Sequence, residues 1–135
     1  MKAMGEPTNE PYLMGLPSPY TGQVAMALAN AGPAFTMISD EGVVGCGGVA
    51  IVWAGMGKGW AVFTKIAEKY PVAVVKVTKK VIAKAMHDHG LQRVETTIAS
   101  NSEKNMRFAV MLGFRREGTL VKYYNGLDFE MVAIT

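Results

Sequence analysis

The chain has one cysteine, Cys46, so no disulfide can form within it and nothing but packing holds the fold together, as in proteins of reducing compartments. Cys46 lies inside VVGCGGVAIVW, where a small buried thiol in a strand is expected rather than a nucleophile. Long apolar runs are missing as well. The longest, Val43 to Met56, is too short and too rich in glycine to span a bilayer. The opening MKAMGEPTNEPYLMGLPSP lacks the uninterrupted apolar core of a signal peptide, so a cytoplasmic, membrane-free setting is expected. Charge is scarce too: 19% of residues are charged and the net charge is +3, with a pI of about 9.0. An excess so small and so spread out predicts no nucleic-acid partner. His87 and His89, two residues apart on a helix, do not face one metal, and no metal site is expected.

What is present is apolar: half of the 135 residues, enough for one domain with a real core. Four prolines precede residue 20 and predict a flexible or extended arm over residues 1–19, followed by a single domain over residues 20–135. Val24, Leu28 and Ala31 recur at helical spacing from Tyr20 to Ala31, where NAGP closes the segment. AFTMIS, the turn DEG and VVGCGGVAIVW read as a hairpin. GMGKG reads as a glycine-rich turn before a third strand, WAVFT. Gly45, Gly47 and Gly48 inside the second strand predict a bulge or a close backbone approach.

Pro71 suits the first position of a long helix that runs to His89 and stops at Gly90. Val74, Val75, Val81, Ile82, Ala85 and Met86 form its apolar face, and Lys76, Lys80 and Lys84 a solvated stripe. RVETTIAS alternates as a fourth strand. Ser100 and Glu103 then have capping-box spacing at the start of a helix that Gly113 ends. TLVKYY and DFEMVAI flank Asn125-Gly126, the type I′ hairpin signal. The class is α+β.

A strand, Asn101, a short helix ending in Leu112-Gly113-Phe114, then Glu117-Gly118 and an aromatic hairpin from Tyr123 to Ile134 resemble the C-terminal half of GNAT acyltransferases. The whole chain also looks like the short GNAT-like proteins of tailed bacteriophages. The likeness runs from about Ala34 to Thr135. It implies a mixed central sheet, built of an antiparallel meander, a splayed parallel pair and a terminal hairpin, with three helices. It also implies acetyl-CoA as cofactor, lying between the splayed strands WAVFT and VETTIAS. Val62, Phe63, Thr64, Lys65, Lys69 and Asn101 are the residues it would place along the cofactor.

The family cradles the pyrophosphate on a glycine-rich loop at a helix start, where the amides come close to phosphate. Here the matching stretch, KIAEKYPV, has no glycine, and Tyr70, Pro71 and Val72 stand in the cradle, which predicts weak acetyl-CoA binding. The family's acidic tyrosine, four residues before the glycine of GF, is Ala109. Tyr124 and Glu117 are the leading candidates for proton transfer, with Tyr123 and His87 behind them. Two functions therefore follow from the resemblance. One is an acetyl-CoA-dependent N-acyltransferase acting on an amine. The other is a catalytically inactive GNAT scaffold, phage-encoded, that binds and modulates a bacterial host enzyme in the host cytoplasm.

Overall fold

A computed structural model describes residues 30–135. The proline-rich arm, residues 1–19, and all but the last two residues of the expected helix from Tyr20 to Ala31 lie outside the described residues. Six strands form one sheet: β1 (Ala34–Ser39), β2 (Gly42–Trp53), β3 (Met56–Phe63), β4 (Arg93–Ala99), β5 (Arg115–Tyr124) and β6 (Leu127–Ile134), in spatial order β1-β2-β3-β4-β6-β5. A 3-10 turn (Lys65–Lys69) and helix α1 (Pro71–Asp88) connect β3 to β4, and helix α2 (Glu103–Leu112) connects β4 to β5. Two α-helices, not three, are therefore seen among the described residues.

The β1-β2-β3 meander is antiparallel, as expected. GMGKG, however, is not a turn. The chain reverses at Ala54-Gly55, with Gly55 at φ +87, and Met56 to Gly59 already belong to β3. Gly57 sits in the strand because a side chain there would run into Val49 and Leu91. The glycines of β2 answer to both expectations: the register with β1 slips at Val44, beside Gly45, and the strands also approach closely. A Cβ on Gly45 would collide with the ring of Phe63 and lie 2.7 Å from the Val62 carbonyl.

Both helices pack into one core. Val74, Ile82 and Ala85 of α1 and Ala109 and Leu112 of α2 meet Val49, Ala61, Phe63, Val94, Ile98 and Val132 from four strands. Thr78, spaced one turn from Val74 and from Ile82, is buried on the same face of α1, and Val81 is only half-buried. Helical spacing, not residue polarity, decided which side chains go inside.

The Leu112-Gly113-Phe114 stretch closes α2 by a Schellman motif. Gly113 takes φ +103, its amide donates to Val110, and the Phe114 amide donates to Ala109 at 3.0 Å. That geometry turns Phe114 into the core, where it is 3% exposed. Asn125 and Gly126, at φ +53 and +74, form the expected type I′ turn between β5 and β6. Two residues before Tyr124, Lys122 is left-handed at φ +51, and its amide donates to Asp128 Oδ1 at 2.8 Å. The ladder between β5 and β6 is interrupted there.

Phe114→Ala should cost roughly 3 to 5 kcal/mol in denaturant melts, the range for emptying a buried phenylalanine site. A loss under about 1 kcal/mol, the range of surface changes, would contradict the placement of this motif.

Candidate functional site

Strands β3 and β4 run parallel but stay paired only at Met56 with Arg93, Gly57 with Val94 and Lys58 with Glu95. Beyond Lys58, β3 keeps a partner on its β2 side alone. Beyond Glu95, β4 keeps one on its β6 side alone. The two strands thus part, leaving main-chain donors and acceptors facing an opening, the kind of edge that needs an external partner.

Past the end of β3 lies a cavity of about 320 Å³, at the lower end of the size range of small-ligand sites. Phe63 and Thr64 form its inner wall, Ala67, Pro71, Val74 and Val75 one side, and Asn105, Phe108 and Met111 of α2 the other. Phe63 and Phe108 meet edge to face, centroids 5.5 Å apart. Thr64 is fixed by its hydroxyl, which donates to Val43 at 2.7 Å, and by its amide, which donates to Val44 at 2.9 Å. Glu68 and Lys104, both exposed, face each other across the mouth at 3.7 Å, a pair worth little in water.

The start of α1 explains what the opening offers an anion. The Tyr70 amide is used by Ala67, Pro71 has no N–H, and the first bond inside the helix runs from Val74 to Tyr70 at 3.0 Å. Only Val72 and Ala73 keep amides outside the helical ladder, and no side chain caps them. A 3-10 turn stands where the resemblance would put a glycine loop.

The start of α2 differs from the expected capping box. Ser102, not Ser100, is the N-cap, and its hydroxyl accepts from the Asn105 amide at 3.4 Å. Ser100 instead donates to Glu130 at 2.5 Å. Glu130 is 5% exposed and also receives Thr119 at 3.0 Å and Arg116 at 2.5 Å. These donors, Ser100 first, hold its carboxyl below the ordinary range against the opposing effect of burial. The cluster ties the turn after β4 to the terminal hairpin and so fixes where α2 begins.

No family model matches the sequence, and no curated protein matches it. Solved structures match its shape. An acetyltransferase of the GNAT family from Bacillus anthracis superposes with a TM-score of 0.67 at 18% identity, covering 83% of this chain and 70% of its own. The fold is that of the GNAT acetyltransferases. A variant of the spermidine N-acetyltransferase SpeG from Vibrio cholerae gives 0.68 at 14% identity, covering 94% and 82%. A ribosomal-protein alanine acetyltransferase from Vibrio fischeri gives 0.68 at 15%, covering 83% and 66%.

Within this GNAT fold, the residues expected along the cofactor divide. Phe63 and Thr64 line the cavity. Val62 is buried opposite Cys46 of β2. Lys69 is engaged with Glu41 at 2.9 Å, which raises its pKa, and Lys65 is exposed outside the lining. Asn101 lies exposed in the turn before α2. The asparagine on the cavity wall is Asn105, four residues on, together with Lys104, Arg107, Phe108 and Met111. The signal for them was present as α2 periodicity, since 104, 105, 108 and 111 share one helical face.

The proton-transfer candidates lie outside the cavity lining. Glu117 forms a two-pronged pair with Arg93 at 2.6 and 3.0 Å, which depresses its pKa and occupies both its oxygens. Tyr124 sits beside the hairpin turn, Tyr123 stacks on Phe129 at 5.4 Å, and His87 is exposed at the end of α1. Cys46 is buried, which pushes its thiol up to about 11 and leaves it protonated at neutral pH.

Because the folded state depresses the Glu130 pKa from 4.5, its stabilisation is complete above the unfolded value and is lost as pH falls through the folded one. The stability gap between wild type and Glu130→Gln should therefore be widest near neutrality and shrink on acidification below that value. Urea melts across pH would read this, and a constant gap would contradict it.

Proposed function

We propose that the protein is a GNAT-type acyltransferase homologue that accepts an acyl thioester such as acetyl-CoA in the opening between β3 and β4, with a degenerate site for the pyrophosphate. The observation that carries this reading is the parting of β3 and β4 beside a cavity of ligand size. A thioester arm entering there finds main-chain groups along both strands. An amine could then attack the thioester carbon, forming the amide and releasing the thiolate. The lining holds no histidine, cysteine or tyrosine, and its charged side chains are Glu68, Lys104 and Arg107, so protonation of the leaving thiolate falls to solvent and turnover is slow.

A second reading, the phage-encoded scaffold that binds a host protein, draws on the apolar rim of the same cavity. Met111 on its wall is 54% exposed, and Val72, next to Pro71, and Val110, next to Met111, are 66% and 60% exposed. Single exposed apolar residues are ordinary, and a contiguous patch of them is what a partner would cover.

Acetyl-CoA should bind with a Kd near or above about 1 mM, and S-acetyl-pantetheine, which lacks the nucleoside and every phosphate, about equally well. Calorimetry or NMR titration distinguishes the cases. A micromolar Kd for acetyl-CoA would show that the pyrophosphate is cradled after all and would overturn the degenerate-site reading.

A further inference from the structure

Helix α1 gathers the charge of the chain in one place. Between Pro71 and Asp88 stand Lys76, Lys79, Lys80 and Lys84 against the single acid Asp88, a net charge of +3 that equals the excess of the whole chain. All four lysines are exposed. Lys84 is paired with Asp88 at 2.7 Å, whereas Lys76, Lys79 and Lys80 have no ion-pair partner among the described residues. Lys76, Lys80 and Lys84 follow one another at four-residue spacing on the side opposite the buried Val74, Thr78, Ile82 and Ala85, along about 12 Å of helix axis.

A face that meets only water is usually built otherwise. Like charges three and four residues apart repel and weaken a helix, and glutamates among the lysines would remove that cost. Exposed valine is a second anomaly, because a β-branched side chain lowers helix propensity and gains nothing in solvent. Val72 is 66% exposed and Val77 36%, one on each flank of the lysine row, with Ala73 and Ala83 also exposed. Local choices that cost stability without compensation inside the molecule mark a surface built for contact.

We infer that this face of α1 docks an acidic helix of another protein, one that presents carboxylates at four-residue spacing with small apolar residues between them. Charge complementarity calls for anions, and the apolar residues decide what carries them. Val72, Ala73, Val77 and Ala83 would stay wet against a phosphate backbone, and the row holds neither arginine for two-pronged phosphate contacts nor an aromatic for base stacking. A helix that lies on a membrane turns its apolar side to the lipid, whereas that side of α1 is committed to the core. Against a helix at an interaxial distance of about 8 to 10 Å, the alanines let the backbones approach and the valines cover apolar positions of the partner. The partner is a different protein, because nowhere in the sequence do three acids follow one another at four-residue spacing. Lys76, Lys80 and Lys84 lie outside the cavity lining, so the docking does not depend on the cleft taking a thioester.

The test is an NMR titration of the isotope-labelled full chain with a synthetic helical peptide carrying glutamate at every fourth position and alanine or leucine between, beside a peptide of the same composition in scrambled order. At about 10 mM salt the ordered peptide should bind saturably with a Kd below about 1 mM and shift the amides of residues 72–84, and it should bind more weakly at about 150 mM salt. Lys76→Gln combined with Lys80→Gln should weaken that binding at least tenfold, the equivalent of about 1.4 kcal/mol, while the melting temperature stays equal or rises because like-charged neighbours are gone. Equal affinity for the scrambled peptide, or no saturable shift, would show a merely solvated charge and overturn the docking site. A melting temperature lowered by the double change would show that the lysines serve the fold and would overturn it too. Tighter binding of a mixed-sequence DNA duplex or of phosphatidylserine vesicles than of the ordered peptide, at equal salt, would assign the face to phosphate and rule out the protein partner.

Discussion

Everything distinctive in this structure follows from the point where β3 and β4 stop pairing. Three register pairs suffice to hold the strands in one sheet, and the helix between them is long enough to close the crossover. Past Lys58 and Glu95, the backbone must find partners elsewhere or be solvated, so the sheet is open along its middle rather than only at its edges. The core accommodates this because the packing that unites the halves runs through side chains. Phe63, Val94, Ile98 and Phe114 bridge beneath α1 and α2 where main-chain bonds are lacking.

The two helices that cover the opening are fixed by different means. Helix α1 begins at a proline, which sets φ but leaves few amides to bind an anion. Helix α2 begins at a serine cap whose position depends on Glu130, a carboxylate of β6 reached from the turn after β4 and from β5. The side of the cavity formed by α2 is therefore tied to the sheet by polar bonds, whereas the side formed by α1 rests mainly on apolar packing.

Local chemistry made part of this legible in the sequence. Asn125-Gly126 specifies its turn by two residues that tolerate positive φ, Gly113 specifies a helix end, and Pro71 a helix start. The strand register around Gly57 was not legible, because that glycine is there for neighbours distant in sequence, Val49 and Leu91. The choice of Ser102 over Ser100 as cap has the same origin. Ser100 is drawn away by Glu130, thirty residues on, and no spacing rule within α2 registers that competition. Motif order gives no depth: Asn101 is exposed in the turn and Asn105 is buried, a difference that only the packed helix shows. Glu117 likewise acquires its role from Arg93, a partner two elements away.

The left-handed kink at Lys122 bears on how the protein behaves among copies of itself. Strand β5 is the outer strand of the sheet, ten residues long, and carries exposed Val121 and Tyr123. A straight strand of that length would offer an unbroken row of main-chain donors and acceptors to any other extended chain. With the Lys122 amide turned inward onto Asp128, the row is interrupted and a lysine marks the break. A second strand could zip along only part of the edge before meeting a reversed backbone and a charge, which is how natural sheets resist stacking into fibrils.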